Sequence, residues 1–403
     1  MNRQLLTRLL WVKALRSFAD GYVSLLLPSY LLALGMSAAQ VGVITTATLL
    51  GSGALTLLIG RQAWRFQYRT LLLAASLSMA VTGFGFAGLT AFWPLLLVAF
   101  AGTLNPSAGD VSVFLPLEHA LMAGAVADDR RTALFARYAM TGTLLAAAGA
   151  LCAALPALAS HRLGLAPHAV MQAMFGLYGM FGLAAAFIYA PLPRQQEYTA
   201  PVRAAPLTSA KKTVYTLAML FSIDSFGSGF VAQSMLALWL LQKFQLSLAA
   251  AGTIFFWTGV FSALSYLVAV RIAGRFGLLN TMVFTHIPAN LFLLLAAFMP
   301  TLGWAIAMLL ARSLLSQMDV PTRSAFVMAV VPPAERAAAA SMTAVPRTFA
   351  AACSPLLAGM MLGASAFGWP LVAAGALKIG YDVLLLVLFR KVPLPGEGGA
   401  GRP

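Results

Sequence analysis

Charge is scarce in this sequence. Asp, Glu, Lys and Arg make up 9% of its 403 residues, and only 11 residues are acidic, whereas a soluble domain typically carries about 25% charged residues. That is too few ionic side chains to cover a water-facing surface, so an ordinary soluble enzyme or binding module is excluded and the chain needs lipid as its solvent. Cysteine is rarer still. Cys152 and Cys353 both fall in apolar segments, which leaves no disulfide framework and no zinc spacing. The four histidines are scattered and make no metal set. No Gly-x-x-x-x-Gly-Lys-Ser/Thr loop is present to hold ATP, and no nucleophile stands beside a paired acid and base. The chain therefore reads as a protein that is not an enzyme and takes no cofactor.

What is present is apolar: 61% of the residues are hydrophobic. The apolar runs lie near 11–34, 38–60, 70–90, 93–118, 132–157 and 168–190, then near 213–242, 248–271, 278–300, 302–331, 337–363 and 369–390. Each is long enough for a helical span of about 20 residues. The expected fold is thus an all-α membrane protein of about twelve transmembrane helices. The first run continues past signal-peptide length without a small-residue cleavage site and is expected to be a retained helix. The polar stretch 191–212 divides the chain into an N-terminal six-helix bundle (1–190) and a C-terminal one (213–391), with a cytoplasmic tail at 392–403.

The formal net charge of +15 points to membrane orientation and not to nucleic acid. With both termini inside, seventeen Lys and Arg residues fall in inner segments and only Arg162 and Lys243 in outer loops, the asymmetry that sets topology. A plasma membrane location follows (the inner membrane if the cell is bacterial), with both termini cytoplasmic and the linker inside.

The halves echo one another at an offset near 205–210 residues. Ser37-Ala38-Ala39-Gln40-Val41-Gly42 is answered by Ser247-Leu248-Ala249-Ala250-Ala251-Gly252, and Ala63-Trp64-Arg65-Phe66 by Ala273-Gly274-Arg275-Phe276. Asp20 answers Asp224, Asp110-Val111 answers Asp319-Val320, and Arg131 answers Arg336. Six spans per repeat insert both copies in one orientation, a pseudo-twofold parallel repeat.

With these features the sequence resembles the major facilitator superfamily over nearly its whole length. The family's loop signature has a Gly, an acidic residue and then Arg-x-Gly-Arg. The loops here, Gly60–Arg69 and Ala273–Gly277, keep Arg65 and Arg275 and lack the acidic residue. Arg312, Asp319, Pro321, Val331-Pro332-Pro333 and Glu335-Arg336 resemble the Arg…Pro…Val-Pro…Arg run of family members. The resemblance implies a secondary carrier working by alternating access, with a small-molecule substrate, a lipid bilayer and protons as partners, and a monomeric state. Two functions stay open: proton-coupled efflux of a drug-like molecule or metabolite, and proton-coupled uptake of a small organic anion.

Charges inside spans are the candidate site, because one at the bilayer centre costs about 2.5–3.5 kcal/mol on insertion scales unless it faces partners or water. Arg16 and Asp20 are one helical turn apart and expected to pair or to share a substrate site. Asp224 is equally deep, and 213–242 contain no Lys or Arg. Asp224, with Asp20 as second candidate, is therefore expected to carry the proton. Arg312, Asp319 and Arg323 would share one continuous helical face. Arg312 and Arg347, deep in their spans, are expected to anchor substrate with Arg16 and Asp20. Asp110 and Asp319 would accept bonds from Arg65, Arg275 or neighbouring helix termini and close an inner gate. Lys378 and Asp382 would neutralise each other, His286 with Asn290 reads as a satisfied core histidine, and Arg137 needs a partner.

The topology is directly testable. An impermeant thiol reagent is expected to label Thr199→Cys only from the cytoplasm and Ala91→Cys or Ser160→Cys only from outside; the opposite pattern would reverse the orientation.

Overall fold

The computed structural model describes residues 3–62, 66–107, 112–125, 128–193, 207–208, 210–332 and 335–390, and all its regular elements there are helical. Nine helices among these residues are long and apolar enough to cross a membrane, and Phe92–Ala101 and Leu302–Leu315 are shorter apolar helices. The spans that complete the expected twelve are unusual for physical reasons. Helix α1 (Arg3–Ala33) is long enough at 31 residues, but carries Lys13, Arg16 and Asp20 along its middle. Span 4 is broken into α4 (Phe92–Ala101) and α5 (Phe114–Ala125), with Pro106 between them. Span 10 is broken into α13 (Leu302–Leu315) and α14 (Asp319–Val330).

The other spans follow the apolar runs. They are α2 (Ala38–Gln62), α3 (Tyr68–Gly88), α6 with α7 (Asp128–Leu151, Leu155–Leu163), and α8 (Pro167–Tyr189). Then come α9 with α10 (Lys211–Phe230, Gln233–Phe244), α11 (Leu248–Phe276), α12 (Leu278–Phe298), α15 (Arg336–Ala364) and α16 (Trp369–Phe389). Gly277, at φ 81°, takes the left-handed conformation that lets the chain turn between α11 and α12, a backbone that only glycine adopts without strain.

By packing, the chain forms two compact units. The first contains Met1–Ala200, Val231–Val260 and Pro355–Ala366; the second contains Pro201–Phe230, Phe261–Ser354 and Phe367–Pro403. The first unit therefore takes in α10, the beginning of α11 and the end of α15 as well as α1–α8. Linker residues 194–206 and 209 lie outside the described residues.

In the first unit, Leu5, Leu9 and Val12 of α1 meet Leu72 of α3, Phe114 and Leu117 of α5, Tyr138 of α6 and Tyr189 of α8. In the second, Val214, Leu217 and Phe221 of α9 meet Met282 of α12, Phe326 of α14 and Tyr381 of α16. Lipid is as apolar as these side chains, so close backbone approach has to supply much of the attraction between helices. At the α1–α6 contact a Cβ on Gly21 would stand 2.0 Å from the Ala146 carbonyl oxygen, and one on Gly149 would stand 2.0 Å from that of Phe18.

Gly21→Val is accordingly expected to wedge α1 from α6 at an overpacking cost of about 1–3 kcal/mol, read as a lower thermal unfolding midpoint in detergent. Gly380→Ala, where a Cβ meets nothing within 4 Å, should not lower the midpoint, because alanine favours a helix interior over glycine.

Candidate functional site

Asp224, on α9, is buried at 2% exposure, in a helix with no cation of its own near it. Its cations come from other helices. Lys378 of α16 donates to Oδ1 at 2.8 Å, and Arg323 Nη2 of α14 donates to Oδ2 at 2.9 Å. The sequence offers Asp224 no basic neighbour within 213–242, and the tertiary fold supplies two from other helices. Arg323 also donates to Asp319 one turn away, and its guanidinium lies over the Phe221 ring at 5.3 Å.

His286 of α12 extends the cluster. Its Nδ1 is 3.0 Å from both carboxylate oxygens of Asp382 on α16, and its Nε2 is 3.8 Å from Asp224 Oδ1. The ring meets Tyr381 edge-on at 6.1 Å between centroids. His286 is a buried, bonded histidine as expected, but its carboxylate neighbours make it part of the charge network. Asn290 Nδ2, beside it on α12, is buried without a hydrogen-bond partner. The expected Lys378–Asp382 pair does not form, because each residue reaches across to another helix: Lys378 to Asp224 and Asp382 to His286.

Two more arginines belong to this unit. Arg347 of α15 donates through Nε to Ser225 Oγ at 3.2 Å and lies over Phe221 at 5.9 Å. Arg312 of α13 has a buried Nε with no hydrogen-bond partner. Neither guanidinium has a carboxylate partner among the described residues. Arg312, Arg323, Arg347 and Lys378 thus outnumber Asp224, Asp319 and Asp382. Arg312 is not on one continuous face with Asp319 and Arg323, because residues 316–318 interrupt the helix. That break makes Asp319 the first residue of α14, where a carboxylate is favoured by the helix dipole.

The first unit has its own charge cluster, centred on a residue the sequence reading passed over. Glu118 of α5 is fully buried. Arg16 Nη2 donates to its Oε2 at 2.6 Å, and the Tyr138 and Tyr189 hydroxyls also donate to it. Arg16 Nη1 reaches Ser112 Oγ at 3.0 Å, and the guanidinium lies over Phe114 at 3.9 Å. Arg16 is therefore committed to Glu118 and not to Asp20, which lies half-buried further along α1. Glu118 is a lone acid in an otherwise apolar run, Leu115–Leu121 broken only by it and His119; at the end of an apolar segment an acid gives no sign in the sequence of whether it is buried.

The expected gate residues fall differently. Asp110 and Arg65 lie outside the described residues. Arg275 is exposed, with its guanidinium over the neighbouring Phe276 at 5.5 Å, and Asp319 takes Arg323 in its place. Arg137 is exposed on α6.

Comparison with known proteins fits this architecture. Residues 9–315 match the family model of the Major Facilitator Superfamily. The uncharacterised membrane protein YJR124C of Saccharomyces cerevisiae is 25% identical over 418 residues, which cover 95% of this chain and 93% of that protein. The solved structure of the nucleoside transporter NupG is similar with a TM-score of 0.73 at 15% identity, over 97% of this chain and 100% of that one. A D-xylose-proton symporter is similar with a TM-score of 0.75 at 14% identity, over 94% and 97% of the two chains. At such identities the two structures speak for a shared fold alone. The family match, which takes in most of the chain, carries the conclusion: this protein belongs to the Major Facilitator Superfamily and is a membrane transporter, not an enzyme.

Proposed function

We propose that this transporter carries a small organic anion by proton-coupled alternating access, with Arg312 and Arg347 holding the carboxylate or phosphate of the substrate. The observation that carries this reading is the pair of guanidiniums without carboxylate partners, in a cluster where four permanent cations face three aspartates. A buried charge without a partner is costly, and an anionic solute would supply the missing one. The planar guanidinium keeps its proton and suits bidentate contact with carboxylate or phosphate. Arg16 is assigned to the scaffold, because Glu118 already occupies it.

Of the two functions open at the start, the cation excess favours the anion carrier over export of apolar or cationic compounds. An inward proton gradient would drive such an anion inward. The asymmetry of basic residues supports cytoplasmic termini in a plasma membrane. Asp224 is proposed to serve proton coupling as the fixed carboxylate that stabilises a proton taken up within the cluster, with Asp20 as the second carboxylate proposed for coupling, and Asp319 is proposed to hold Arg323 in position against Asp224.

Succinate and inorganic phosphate serve as probes of the anion site. A hydrogen bond to a charged group contributes about 1.5–3 kcal/mol, so Arg312→Gln and Arg347→Gln are each expected to weaken binding of an accepted probe about 10- to 100-fold by titration calorimetry. Gradient-driven flux in proteoliposomes should select anions over uncharged analogues of the same size. Unchanged affinity in both variants, or equal flux of the uncharged analogues, would overturn the anion reading.

A further inference from the structure

His286 stands between two buried aspartates and is held by only one of them. Nδ1 is bonded to Asp382, while Nε2, at 3.8 Å from Asp224 Oδ1, is beyond hydrogen-bond distance. A neutral imidazole that donates from Nδ1 to a carboxylate has a lone pair at Nε2. Here that lone pair faces a carboxylate, an arrangement that repels until a proton arrives and attracts afterwards. Asp382 and Tyr381 of α16 and Asp224 of α9 meet the ring directly. Lys378 of α16 and Arg323 of α14 stand on Asp224, with Asp319 on Arg323; Arg347 of α15 joins them through Ser225 beside Asp224, and α13 contributes Arg312.

His286 has a protonation site, Nε2, that makes no hydrogen bond among the described residues. Both oxygens of Asp224 are held by permanent cations and Asp319 Oδ2 by Arg323, while Asp382 is bonded by the histidine itself. Histidine is also the side chain whose ordinary charge change falls at physiological pH.

Resting on the anion reading above, we propose that His286 is the proton-binding residue of this carrier, and that its protonation couples proton and anion in symport. The proton leaves water on one side of the membrane and adds to Nε2. The ring then donates to Asp382 through Nδ1 and competes with Lys378 for Asp224 Oδ1. The cluster, already one permanent cation in excess, gains one more positive charge. That charge favours a bound anion and, by linkage, the bound anion favours the proton by the same factor. Proton and anion therefore enter the site together and leave it together, and the proton returns to water on the far side. Antiport would require the opposite sign of coupling.

The test follows the ring itself in the intact wild-type protein. With ¹⁵N-histidine in lipid nanodiscs there are four imidazoles, His119, His161, His168 and His286, and His286→Gln identifies the signals of His286. As the pH is lowered over the interval in which the protein stays folded, the ring nitrogens of His286 are expected to pass from neutral to imidazolium signals. Saturating succinate or phosphate is expected to increase the protonated fraction at a given pH. A ring that keeps one protonation state across the interval without any anion overturns the assignment. A titrating ring whose protonated fraction ignores a bound probe overturns the symport coupling. Failure of the anion reading itself would appear separately, in calorimetry, as wild-type protein that binds neither probe; the titration without anion still judges His286.

Discussion

A carboxylate in a membrane span can stay ionised only if cations reach it, and at Asp224 they arrive from two other helices. Lys378 ties α16 to α9, Arg323 ties α14 to α9, and His286 links α12 to the same point through Asp382. Breaking one such buried pair by removing a partner typically costs about 3–5 kcal/mol, because the other charge is left stranded. Helices that gain almost nothing from the hydrophobic effect in lipid are thus held in register by electrostatics at one node. The apolar contacts of Phe221, Tyr381 and Phe326 close around that node and lower the local dielectric, which strengthens each pair within it.

The two units resolve the same problem differently. In the first, Glu118 accepts from donors on three other helices, Arg16 being its cation among the described residues, and it acts as a fastening. In the cluster of the second, the four cations Arg312, Arg323, Arg347 and Lys378 outnumber the three aspartates, and Arg312 and Arg347 have no carboxylate partner among the described residues. A cluster with a deficit of negative charge is stable only if something mobile supplies it, and a carrier needs such a site. The helix break before Asp319 matters here, since it frees Asp319 to start a new helix and to hold Arg323 against Asp224.

Much of the architecture could be read from the chain before folding. Scarcity of charge demands lipid, the length of each apolar run sets the spans, and the asymmetry of Lys and Arg sets an expected orientation; all of these depend on composition along short windows. The unusual depth of Asp20, Asp224, Arg16, Arg312 and Arg347 was legible for the same reason, because a charge inside an apolar run is conspicuous whatever its neighbours.

Partnership was not legible, and it decides the chemistry. Spacing along a helix put Arg16 beside Asp20 and Lys378 beside Asp382, but Arg16 and Lys378 reach carboxylates on facing helices instead, whereas Arg323 keeps its one-turn partner Asp319 as well as Asp224. Glu118 escaped attention because an acid at the end of an apolar run gives no sign of burial until three helices bury it, and His286 looked like filler until two aspartates converged on it. The sequence by itself determined that this protein is a twelve-span helical carrier with costly charges in its interior. Only the tertiary structure decided which charges cancel and which two arginines remain open, because pairing depends on distances between helices that no spacing along one helix encodes.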